Sequence, residues 1–148
     1  MNLKMRFTKQ DAIFKHRVMW CHIGHYLEKW IDSKHTYAGG IITAKADAFG
    51  NRFSKCIPPY LKGNCFLCHY ACEMIIADFG IDPLKIPPDV IVGMNPCELY
   101  CPLNDYANSG GKCLCGLYNK VHAALYDGNF KEASKIAYEI AFLKEVEK

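Results

Sequence analysis

The sequence predicts a mainly α fold (α with a small β-hairpin), organised as one zinc-stabilised domain with a long N-terminal helix and a C-terminal αα-hairpin. Three observations carry this expectation. Apolar residues recur at helical spacing towards both ends, nine cysteines crowd largely into the middle, and glycines and prolines break the periodicity between them. A chain of 148 residues with 51% hydrophobic and 13% aromatic side chains can build a real core, and no repeat, low-complexity tract or linker divides it, so a single domain over 1–148 is expected.

Thr8 followed by Asp11 reads as a helix start, and Ile13, Trp20, Ile23, Leu27 and Trp30 then share one helical face, which places the first helix at 9–34. Gly24 in its middle costs about 1 kcal/mol relative to Ala, a loss that burial of two tryptophans outweighs. The pattern dissolves over 36–64, where Gly39-Gly40, the β-branched run Ile41-Ile42-Thr43, Gly50-Asn51 and Pro58-Pro59 suggest a loop containing a hairpin at about 40–54. Residues 65–115 form the expected metal module. Within it Cys72, Ile75, Ile76 and Phe79 mark a short helix ended by Gly80 and Pro83, and Val90-Ile91-Val92 reads as a brief strand. Over 114–146, two stripes, Leu114 to Leu125 and Phe130 to Leu143, flank Asp127-Gly128-Asn129 and predict the helical hairpin, with Asn129 and Glu132 capping its second arm.

The cysteine spacing points to metal. Cys65 and Cys68 form a CxxC turn, Cys97 and Cys101 a CxxxC pair, and Cys113 stands at a helix start; four of these five are the expected ligands of a closed structural Zn²⁺ site. Cys65 and Cys68 are the strongest, Cys101 is next because Pro102 ends its turn, and Cys97 ranks above Cys113 for the fourth place. An iron–sulfur cluster is the less favoured occupant, since the compact ferredoxin run of cysteines is missing. Cys21 and Cys72 sit in apolar helical patterns and Cys56 is isolated, so these read as small buried residues. His16, His22, His25 and His35 gather on or near the first helix without the carboxylate that HExxH requires, and they read as half-exposed polar positions. No catalytic constellation stands out.

The formal charge of +3 falls to about +1 once four thiolates hold one divalent ion. Its distribution is uneven: residues 1–35 carry seven Lys/Arg against three Asp/Glu, and residues 65–111 carry one against six. Lys4, Arg6, Lys9, Lys15 and Arg17, with Arg52 and Lys55, offer a sparse basic end among aromatics such as Phe53 and Tyr60, which keeps nucleic acid as a second-choice partner. The loop over 36–60 offers Tyr37, Phe49, Phe53 and Tyr60 as large anchors and Arg52 as accompanying charge for a protein partner, unless the aromatics instead finish the core. No apolar run is long enough to span a bilayer and none behind Met1 resembles a secretory h-region. With an odd cysteine count, this favours the cytoplasm and no membrane partner.

The order of His16-Arg17-Val18-Met19-Trp20, Cys65-Phe66-Leu67-Cys68-His69-Tyr70-Ala71, Cys101-Pro102-Leu103 and Cys113 followed by Tyr118 resembles small bacteriophage and prophage proteins with a zinc-finger-like cysteine arrangement. The resemblance departs in its CxxxC pair and in Tyr106, where a tryptophan is expected. It implies a phage origin, the cytoplasm of an infected bacterium and a metal-stabilised core. By analogy it implies a non-enzymatic protein that binds a host or phage protein, such as an inhibitor of bacterial defence of the anti-CRISPR kind. A nucleic-acid-binding accessory protein is the alternative, and a metal-dependent or thiol enzyme comes third.

Overall fold

The computed structural model describes residues 8–49, 66–80, 99–105 and 113–146. Among them are five α-helices and no strand: α1 Lys9–Glu28, α2 Ile41–Phe49, α3 Phe66–Phe79, α4 Leu117–Tyr126 and α5 Phe130–Ala141, with a 3₁₀ turn at Cys113–Gly116. The chain divides into two compact units, one of Met1–His16, Tyr60–Cys115 and Lys144–Lys148, the other of Arg17–Pro59 and Gly116–Leu143. No helix of the described residues is long and apolar enough to cross a membrane.

Thr8 starts α1 as the sequence leads one to expect. Its Oγ1 accepts the Asp11 N–H at 3.1 Å and its carbonyl accepts the Ala12 N–H at 3.0 Å, satisfying donors that a helix start leaves unpaired. The helix stops at Glu28, short of residue 34. The N–H groups of Trp30 and Ile31 bond three residues back, to Leu27 and Glu28, and Asp32 adopts a left-handed φ of 63°, which a continuing right-handed helix does not allow.

In the unit that begins at Arg17, Trp20, Ile23 and Leu27 of α1 are fully buried, each such side chain contributing about 1.5–3 kcal/mol. The αα-hairpin of α4 and α5 shares this unit and packs along its length. Its turn closes with Gly128 N–H on the Leu125 carbonyl at 3.3 Å and Asn129 N–H on the Ala124 carbonyl at 2.9 Å, the paired bonds of a Schellman ending with Gly128 at a φ of 71°. Asn129 then caps α5, accepting the Glu132 N–H at 3.2 Å. Phe130, Ala133, Ile136, Ala137 and Ile140 form the buried stripe of α5. Gly24 has a packing role beyond its propensity cost: a Cβ there would meet the Tyr138 ring at 3.1 Å, and its carbonyl accepts the Ser134 hydroxyl at 2.9 Å.

The expected hairpin at 40–54 is corrected over Ile41–Phe49, which is helical. The Gly40 N–H bonds the Tyr37 carbonyl at 2.8 Å, Gly40 takes a φ of 64°, and its own carbonyl accepts the Ala44 N–H at 3.1 Å, opening a helix rather than a strand. Ile41, Ala44 and Lys45 turn inwards at helical spacing, with the Lys45 ammonium 5.3 Å from the centre of the Trp20 ring. The Ile41 N–H is capped from a distance by His122 Nδ1 at 3.2 Å. The rest of that hairpin and the strand at 90–92 lie outside the described residues.

The other unit contains α3, whose residues are apolar nearly all round. Phe66, Leu67, Ala71, Cys72 and Ile75 are buried, as suits a helix with little polar surface. Gly80 ends it at a φ of 71°, its N–H on the Ile76 carbonyl at 2.8 Å. The segment Leu99–Asp105 buries Cys101, Leu103 and Asn104, and Tyr100 donates its hydroxyl to Asp78 of α3. Val146 N–H bonds the Pro102 carbonyl at 2.6 Å, and Lys9 pairs with Glu145 at 2.8 Å.

Candidate metal-binding and interaction residues

The described cysteines of the expected zinc site are spread over three local structures of the unit that contains α3. Cys68 stands in the first turn of α3 and is half-buried, Cys101 is buried just before Pro102, and Cys113 is exposed at the start of the 3₁₀ turn. Cys72 is buried one helical turn beyond Cys68. Cys65 and Cys97 lie outside the described residues, and among those described no group of three or more His, Cys, Asp or Glu is placed to hold a metal ion.

The same helix carries a pair that cysteine spacing does not reveal. His69 and Glu73, four residues apart on α3, are buried, with side chains only 2% and 8% exposed, and His69 Nε2 lies 3.9 Å from Glu73 Oε1. That separation exceeds any hydrogen bond. Glu73 Oε2 is buried and has no hydrogen-bond partner among the described residues. The signal was present in the sequence as His-x-x-x-Glu within a helical pattern, which sets two ligand-type side chains on one face.

Of the expected partner-contact residues, Tyr37 is only 2% exposed and takes the core role. Its ring lies 4.5 Å edge-on from His35, which stacks on Trp30 at 4.0 Å, and 5.8 Å from Phe130. Its hydroxyl donates to Asp47, which also accepts the Tyr26 hydroxyl at 2.8 Å. Burial raises the Tyr37 phenol well above its usual value, with the Asp47 bond adding to the rise. The bond from Tyr37 in turn holds Asp47 below the usual carboxylate range. Phe49 ends α2 with its side chain outside the described residues, as are Arg52, Phe53 and Tyr60.

The basic end is partly committed to structure. Arg17 Nη1 donates to the Ala141 carbonyl at 2.7 Å and Lys9 holds Glu145, whereas Lys4 and Arg6 lie outside the described residues. The histidines of α1 serve separate local contacts: His16 is buried, His22 Nε2 lies 3.3 Å from the Ala48 carbonyl, and His25 lies 4.0 Å from Glu28. Two large apolar side chains remain in water on α1, Phe14 at 68% and Val18 at 53% exposure, four residues apart and so on one face. Sequence reasoning placed neither in an interface.

Comparison with known proteins finds no matching family model, and no curated protein or solved structure matches the chain.

Proposed function

We propose that the chain is a protein-binding factor stabilised by a structural zinc ion, encoded by a phage and acting in the cytoplasm of the infected bacterium on a host or phage protein. Antagonism of a bacterial defence system, as by an anti-CRISPR protein, is the role that suits such a factor. The zinc is held by four of Cys65, Cys68, Cys97, Cys101 and Cys113; the CxxC and CxxxC spacing of the first four supports this.

The observation that carries the binding reading is the exposed Phe14–Val18 face of α1. Apolar side chains paired on one helical face suit insertion into a partner's groove. Arg52, Phe53 and Tyr60 are further contact candidates from the segment over 36–60. The commitment of Lys9 and Arg17 to structural contacts favours a protein over a nucleic acid. The test is reconstitution of the full chain with candidate host proteins. Recovery of a stoichiometric complex that Phe14→Ala/Val18→Ala abolishes, with melting temperature unchanged, supports the reading. A complex indifferent to that substitution, or salt-sensitive binding to random DNA in its place, contradicts it.

A further inference from the structure

We infer that Tyr26, Trp30 and Asp47 form a binding site for a quaternary ammonium group, and that the chain's own Lys29 occupies this site until such a ligand displaces it. The Lys29 ammonium lies 3.8 Å from the centre of the Tyr26 ring and 5.2 Å from the centre of the Trp30 ring. Both distances are within reach of the attraction between a cation and a ring face, so two aromatic side chains share one positive charge. Asp47 adds the negative charge. Its carboxylate accepts the Tyr26 hydroxyl at 2.8 Å, which ties it to the ring that Lys29 covers. Its bond from Tyr37 holds it below the usual carboxylate range, and the charge of Lys29 adds to this.

The two rings keep their places through contacts of their own. Trp30 is half-buried and stacks on His35 at 4.0 Å, and His35 in turn meets the rings of Tyr37 at 4.5 Å and Phe130 at 6.0 Å. Tyr26 is fixed at its far end by the bond to Asp47. Lys29, by contrast, is exposed and carries its ammonium on a flexible four-carbon stem, so the charge can swing away and leave the rings and the carboxylate in position. Asp47 is exposed too, which leaves the site open to a ligand arriving from water. A primary ammonium is a poor match for what remains, because it is strongly hydrated and carries three N–H donors that ring faces satisfy badly. A quaternary ammonium has no donor to satisfy, and it is the type of cation that aromatic sites recognise best.

The test is an NMR titration of the full chain with choline at constant ionic strength, for the wild type and Lys29→Ala, alongside the uncharged carbon isostere of choline. Affinity is read from the choline methyl resonance and the place of binding from the Trp30 indole resonance. Lys29 acts as a tethered competitor held by a cation–π contact of ordinary exposed strength, so its removal is expected to tighten choline binding about 3- to 6-fold. The isostere is expected to bind neither protein. Tyr26→Ala in the Lys29→Ala background is expected to weaken choline binding at least about 3-fold. Because Lys29 is exposed, Lys29→Ala and the isostere decide the matter even where Tyr26→Ala loses its fold. A peptide bearing one trimethyllysine separates two sources of the same chemistry: tighter binding than choline assigns the site to a modified partner protein, and weaker binding assigns it to a free small molecule. Absence of choline and peptide binding to Lys29→Ala overturns the inference. So do equal choline affinities of wild type and Lys29→Ala, equal binding of the isostere, or choline binding that leaves the Trp30 indole unmoved.

Discussion

Substitution of Gly40 by Ala is expected to destabilise the unit containing α2 by about 3 kcal/mol or more, and the structure shows where each part of that loss arises. Gly40 holds a φ of 64°, where an L side chain costs about 1–2 kcal/mol. A Cβ at this position would stand 2.1 Å from His122 Cε1 and 2.3 Å from Nδ1, so the imidazole has to leave. Its departure breaks the bond from the Ile41 N–H to His122 Nδ1, about 0.5–1.5 kcal/mol, and disturbs a ring placed 5.0 Å from Tyr126 and 6.5 Å from Tyr118. Forced repacking of this kind costs about 1–3 kcal/mol. The assay is equilibrium urea unfolding of Gly40→Ala, His122→Ala and the double variant. With the imidazole already removed, Gly40→Ala retains only its backbone cost, so the cycle yields a coupling of about 2 kcal/mol. A Gly40→Ala loss below about 1 kcal/mol, or the same loss in both backgrounds, refutes the latch between Gly40 and His122.

Three further outcomes follow from single contacts. Asn129→Ala removes the acceptor for the Glu132 N–H and is expected to cost about 1 kcal/mol in the same unfolding assay, while Asn129→Asp retains most of it. The Tyr138 phenol is pushed up to about 12, chiefly by its hydrogen bond to Glu28 with burial adding to it, so its contribution to stability is complete below the usual tyrosine value and is lost as pH rises through about 12; ultraviolet titration of Glu28→Gln should return Tyr138 towards its ordinary range. Asp47 is held low by Tyr37, so its contribution is present above the ordinary carboxylate range and lost as pH falls through the lowered value; Tyr37→Phe should move the acid-unfolding midpoint to higher pH.

The legible parts of the fold were those decided locally. Thr8 caps α1 and Asn129 caps α5 through their own neighbours three residues on, and the turn at Asp127-Gly128-Asn129 needs nothing beyond its own backbone. Over 41–49 the sequence suggests a strand because Ile41, Ile42 and Thr43 favour strands, whereas the cap on the helix that forms there, His122, lies 81 residues away. Trp30 extends the apolar period of α1 past its end at Glu28, although the left-handed Asp32 breaks the backbone. Gly24 shows the same limit from another side. Its propensity cost could be read from the sequence, but its reason, the close approach of Tyr138, depends on a helix more than a hundred residues later. In the candidate site, cysteine spacing points to Cys65 and Cys68, whereas the burial of the His69–Glu73 pair on α3 cannot be seen in spacing alone.

The proposal that metal ligated by sulfur holds the unit containing α3 together is tested by zinc K-edge absorption on freshly purified protein, with unfolding followed before and after a strong chelator. Stoichiometric zinc with a sulfur shell at about 2.3 Å is expected, with loss of cooperative unfolding once the ion is removed. Metal-free protein, or zinc surrounded only by nitrogen and oxygen, together with unfolding indifferent to the chelator, would contradict it.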